Sequence, residues 1–174
     1  MLRRIRSLLA GTNYYEPRAL STLSSSISYL STRLDKHLSG EHYRWKENEW
    51  TRMFECIILS KFLIDYALFT TSIGHIPGAR IQFYRKMADT VFESILKATF
   101  PLLELSDFVG KKLRIYSDVM LDASDPTCWQ RLAGACTGID YCSEKDQSTF
   151  TASSLVLPAL LQSAQDSWKK VIKA

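Results

Sequence analysis

Apolar residues recur at helical spacing along most of this chain. Leu20, Leu23, Ile27, Leu30 and Leu34 step by three, four, three and four positions, which places them on one stripe of a helix over 18–38. Ser, Thr and Arg fill the opposite face, and Gly40 just past the last turn suits a helix stop. A stripe this narrow packs against one partner helix, within the chain or on another chain.

The spacing predicts a second helix over 46–71, carrying Trp50, Met53, Phe54, Ile57, Ile58, Phe62, Tyr66 and Phe69. Between Ile57 and Leu68 it is apolar around most of its circumference, so it is expected at the centre of the fold. Lys61 and Asp65 interrupt that run as an i,i+4 pair, either an ion pair forced by burial or a polar seam. Ser72 to Gly78 contains two glycines and Pro77 and breaks the helix. A third helix follows over 79–99, with Ile81, Tyr84, Met87, Val91, Ile95 and Leu96 inward and Pro101 beyond its end. A fourth spans 106–121, with Phe108, Val109, Leu113, Tyr116 and Met120 on one face.

Asp125-Pro126 reads as an N-cap followed by proline at the first helical position, opening a short helix to about residue 136. Residues 137–149 form the longest polar loop. The last helix covers 152–173 with Leu155, Leu160, Leu161, Ala164, Trp168, Val171 and Ile172. Pro158 either kinks it or marks its true first turn. No segment alternates with the period of a strand. The expected fold is all-α: a single-domain helical bundle of five to seven helices over 17–174, preceded by a basic amphipathic arm over 1–16.

Composition agrees. The 174 residues are 46% apolar, with only 7 Gly and 5 Pro, enough for a core and too few tight-turn formers for an all-β chain. Charge adds something new. Residues 1–40 hold six Lys or Arg against two acids, a surplus of four. The whole chain is also +4, so the remainder is balanced. The surplus sits in an Arg- and Ser-rich, acid-poor leader with Arg3, Arg4 and Arg6 between Leu2, Ile5, Leu8 and Leu9, the composition of a mitochondrial transit segment. A bacterial cytoplasmic protein with a basic N-terminal helix is the alternative. No transmembrane segment is expected, because Glu55, Lys61 and Asp65 interrupt the densest apolar stretch.

Motifs of chemistry are missing from the sequence. The four cysteines, Cys56, Cys128, Cys136 and Cys142, include no C-x-x-C pair, so buried thiols are favoured over a zinc site or a disulfide. His37, His42 and His75 have no ligand spacing, and no Glu-x-x-His offers a di-metal site. There is no Gly-x-Ser-x-Gly elbow and no phosphate-binding glycine loop. No catalytic, cofactor or metal residue is therefore expected. Basic clusters at Arg80, Arg85 and Lys86 and at Lys111, Lys112 and Arg114 could meet RNA, or could be solvated helix faces.

The sequence thus points to a non-catalytic accessory subunit of a larger protein assembly. A mitochondrial respiratory complex, ATP synthase or ribosome fits the leader. The interface candidates are the Leu20, Leu23, Ile27, Leu30, Leu34 stripe and three aromatics expected at the surface, Trp45, Trp50 and Trp168. Peripheral membrane contact is a further option. The alternative is a small ligand-binding or cryptic enzymatic domain. Its site would lie along the second helix, where Glu55, Asp65, Tyr66 and Tyr116 could converge.

Overall fold

The computed structural model describes residues 17–39, 49–72, 76–100, 106–138 and 150–173. The arm over 1–16, Trp45, His42, His75, Cys142 and the loop over 139–149 lie outside the described residues. Six helices are described and no strand among them: α1 (Pro17–Leu38), α2 (Glu49–Ser72), α3 (Gly78–Thr99), α4 (Ser106–Met120), α5 (Cys128–Thr137) and α6 (Ser153–Lys173). The chain is an all-α helical bundle, and each helix begins or ends within a few residues of where the spacing puts it.

α2 is the axis of the bundle and packs against all five other helices. Its buried residues run almost without interruption from Phe54 to Leu68, as expected for a helix with no polar face. α1 lies antiparallel to α2, since Ser31 meets Ser60 while Asp35 meets Arg52. It is also antiparallel to α6, since Ser26 meets Ser167 while His37 meets Ser153. The α1 stripe therefore faces the chain's own helices. Leu23, Ile27, Leu30 and Leu34 have no exposed surface, and Leu20 is partly buried beside them. These residues, considered above as interface candidates, form core.

Trp168 is a second correction. It is fully buried, and its indole Nε1 donates to the Ile64 carbonyl at 2.7 Å. The Tyr84 ring packs against it edge-on, with centroids 5.8 Å apart. Periodicity puts Trp168 on the apolar face of α6 with Leu157, Leu160, Ala164 and Val171, all buried. Leu155, by contrast, points to solvent at 78% exposure, because it falls on the other side of that helix.

Two turns differ in detail from expectation. α5 starts at Cys128, with Thr127 in the N-cap position and making no side-chain cap. Asp125 acts one step earlier. Its Oδ1 accepts from the Thr127 backbone N–H and hydroxyl, both at 2.8 Å, and its Oδ2 pairs with Arg131 at 2.9 Å. This is an Asx-turn leading into the helix. α5 ends at Gly138, whose φ of 67° is the left-handed geometry that favours glycine. Pro158 lies inside α6 rather than in its first turn, and so removes one backbone bond from the second turn.

Trp168 supplies the test of this packing. Trp168→Phe loses the bond to Ile64 and is expected to cost about 1–2 kcal/mol. Trp168→Ala opens a cavity and is expected to cost about 3–5 kcal/mol. Urea denaturation of the two variants measures both. Values near zero would mean that α6 does not seat on α2 through this residue.

Candidate functional site

Three charged or phenolic side chains lie deep in the apolar interior, and α2 supplies two of them. Glu55, on α2, is 3% exposed. α4 runs beside α2 and presents Phe108, Lys112 and Tyr116 at four-residue intervals, which keeps them on one face. Lys112 Nζ lies 2.6 Å from Glu55 Oε1, and the Tyr116 hydroxyl donates to Glu55 Oε2 at 2.8 Å. Cys136 of α5 is a neighbour of Tyr116 and of Cys56 on α2. Burial is the leading cause that pushes the Tyr116 hydroxyl well above its usual pKa. The Cys56 thiol is raised by the neighbouring Cys136 thiol first and by burial second. Both groups therefore stay protonated at neutral pH. Each Glu55 oxygen is already engaged, so the carboxylate is spent on joining α2 to α4.

The second centre lies six residues further along α2. Lys61 is 2% exposed, and its ammonium reaches Asp65 Oδ2 at 2.5 Å and Asp89 Oδ1 of α3 at 2.8 Å. The Phe92 ring lies 5.9 Å from the same nitrogen. Both earlier readings of the Lys61–Asp65 pair describe it, since the buried ion pair also forms a seam to α3. Asp65 Oδ1 is buried with no hydrogen-bond partner among the described residues. Burial raises the Asp65 carboxyl above its usual range, against the pull of Lys61.

The predicted convergence is therefore half realised. Glu55 and Tyr116 meet, whereas Asp65 belongs to the Lys61 centre. Tyr66 stacks on Phe62, which in turn meets the Tyr116 ring edge-on. Spacing alone could not separate these groups, because α2 is buried all round and offers no single face.

The surface residues divide as well. Arg80, Arg85 and Lys86 on α3 are exposed, as are Lys111 and Arg114 on α4. Lys112 is not part of that patch, because its ammonium turns inward to Glu55. Trp50 is 60% exposed. It heads an aromatic cluster at one end of the bundle, with the Phe100 ring 6.1 Å away and Phe54 5.3 Å from Phe100. Phe108 closes the cluster 5.6 Å from Phe54, with 43% of its surface exposed. Trp50 is visible in the sequence as a surface aromatic, whereas its link to Phe100 and Phe108, distant in the chain, leaves no local signal.

Among the described residues, no three His, Cys, Asp or Glu side chains gather where they could hold a metal ion, and Cys56, Cys128 and Cys136 are free thiols. No described helix is long and apolar enough to cross a membrane. No family model, curated protein or solved structure matches the chain.

Lys61 offers a clean test of the buried ion pair. Lys61→Met strands Asp65 and is expected to cost about 3–5 kcal/mol, lowering Tm by roughly 10 °C. Lys61→Met/Asp65→Leu is expected to recover most of that loss, since Asp89 is half-exposed and can return to water. The pH dependence has a fixed sign. A carboxyl whose pKa is raised on folding adds stability below its unfolded pKa and loses it as pH rises through its folded pKa. The deficit of the single variant should thus be largest at neutral pH and shrink as pH falls toward about 4. Thermal melts across that range measure it, and a deficit independent of pH would assign the loss to packing alone.

Proposed function

We propose that this chain is a non-catalytic helical subunit of a larger mitochondrial assembly, docking through the aromatic end of its bundle. The observation that carries this reading is the half-exposed Trp50–Phe100–Phe54–Phe108 cluster. Trp and Phe held by a rigid backbone are the side chains that anchor protein interfaces, because they bury much area at little entropic cost. Here one flank of the cluster already packs on the core, and Trp50 and Phe108 project from it. Glu49 and Asp107 lie beside these rings in sequence, a polar setting of the kind that rims an interface.

The interior supports the non-catalytic part of the reading. Glu55, Lys61 and Asp65 are bound by the chain's own side chains. The leader supports the compartment, since the +4 charge falls within residues 1–40 and the rest is neutral.

Two experiments test the two halves separately. Sedimentation of the endogenous protein from gently lysed cells is expected to place it far above its own 19.9 kDa mass. A Trp50→Ser/Phe108→Ser variant is expected to sediment near that mass while keeping a cooperative melt. A wild-type protein that sediments alone would end the docking proposal. For the compartment, a fluorescent reporter carrying residues 1–40 is expected to collect in mitochondria. Arg3→Glu/Arg4→Glu/Arg6→Glu in that fusion should leave it diffuse. A diffuse wild-type fusion would remove the mitochondrial assignment.

A further inference from the structure

A groove of about 540 Å³ runs along the seam between the N-terminal half of α1 and the C-terminal half of α6. It exists because the facing residues are small. Ser26 on α1 and Ser163 and Ser167 on α6 meet where larger side chains would fill the gap. Its floor is a line of hydroxyls. Ser26, 6% exposed, donates to Ser167 Oγ at 3.0 Å, and Ser167 donates onward to the Ser163 carbonyl at 3.0 Å.

Two cations line the groove, Arg18 from α1 and Lys170 from α6, and no carboxylate is among the described residues that line it. Neither has an ion-pair partner within 4 Å among the described residues, although Asp166, one turn before Lys170, feels its charge; Arg52, Lys61 and Lys112, by contrast, each hold at least one. Ser21 and Ser25, one helical turn apart, add hydroxyls with no partner among the described residues. At the far end stands Tyr29, 46% exposed, its ring 5.4 Å from the Arg33 guanidinium. Eleven residues separate Arg18 from Tyr29, or roughly 16 Å along the helix.

We infer that this groove binds a phosphate ester of a polyhydroxylated molecule, with the phosphate between Arg18 and Lys170. The chemistry selects that class. An apolar ligand would strand the hydroxyls, and a cation would meet two like charges. A neutral polyol would leave both cations unused. A phosphate takes a fork from Arg18 and a point charge from Lys170, with Ser21 and Ser25 as further donors. Sugar or inositol hydroxyls then match the serine floor, and a ring can lie on Tyr29. The volume is that of a small-molecule site. This inference stands apart from the docking proposal. Arg18 lies about 25 Å along α1 from Asp35, whose partner Arg52 sits beside Trp50.

The ester could be soluble or the headgroup of a lipid, and the test separates the two. Calorimetric titration of the full chain would use inorganic phosphate, ADP, inositol monophosphate, and phosphatidylcholine vesicles with and without phosphatidylinositol phosphate. The expected result is saturable binding of at least one ester, weakened roughly tenfold or more by Arg18→Gln/Lys170→Gln. Arg80→Gln/Lys86→Gln removes the same charge from α3 and is expected to leave binding unchanged. Tyr29→Ala should weaken ADP but not inorganic phosphate. Binding confined to phosphoinositide vesicles assigns a lipid source, and binding of ADP or inositol monophosphate in solution assigns a soluble one. No saturable binding by any probe would overturn the inference. So would equal losses in the two charge variants, which would mean a diffuse positive field.

Discussion

The architecture depends on how the charges of α2 are neutralised. This helix is apolar around most of its girth, so burying it drives assembly. It also carries Glu55 and Lys61 into that interior, and an unpaired ion there would cost several kcal/mol. Asp65 of α2 itself holds Lys61 on one side, and the remaining neutralising groups come from other helices: Lys112 and Tyr116 from α4, and Asp89 from α3. A purely greasy α2 could slide or rotate among its neighbours at modest cost. With two charges six residues apart, a shift of one helical turn takes Glu55 from Lys112 and Tyr116 and Lys61 from Asp89, leaving Lys61 only Asp65 of its own helix. The polar centres thus set the register of α2 against α3 and α4, as a single buried polar residue does in a coiled coil.

The helices were legible because their apolar periodicity is strong and their breaks hold Gly, Pro or a polar run. The 3.6-residue rhythm locates α1 and α3 to within a residue or two. What periodicity does not supply is the partner of each face. The α1 stripe suits an internal neighbour or an external one equally well, and only the three-dimensional arrangement assigns it to α2 and α6. Lys112 was unreadable for a similar reason. It sits in a basic triplet with Lys111 and Arg114, but its helical position puts it on the face with Phe108 and Tyr116. The signal was there in that four-residue spacing, once Glu55 is recognised as a buried charge in need of a cation. Trp168 could have been assigned by the same reasoning from Ala164 and Val171.

The candidate sites were less legible than the fold because each depends on residues far apart in the chain. The aromatic end joins Trp50 to Phe100 and Phe108, and the groove joins Arg18 to Lys170. Neither leaves a local motif. A cluster of serines at 21–28 reads along the sequence as a polar helix face. Only when a second serine-bearing helix lies antiparallel to it does that face become a hydroxyl-lined furrow.

The bond from Trp168 to Ile64 spans 104 residues, and that from Ser26 to Ser167 spans 141. Both fasten the last helix to the first two. During synthesis α2 leaves the ribosome long before α6, so its apolar surface stays uncovered on one side until α6 emerges. The flank of α2 that α6 covers therefore stays open after α1, α3, α4 and α5 are in place, and the bundle closes only when α6 docks.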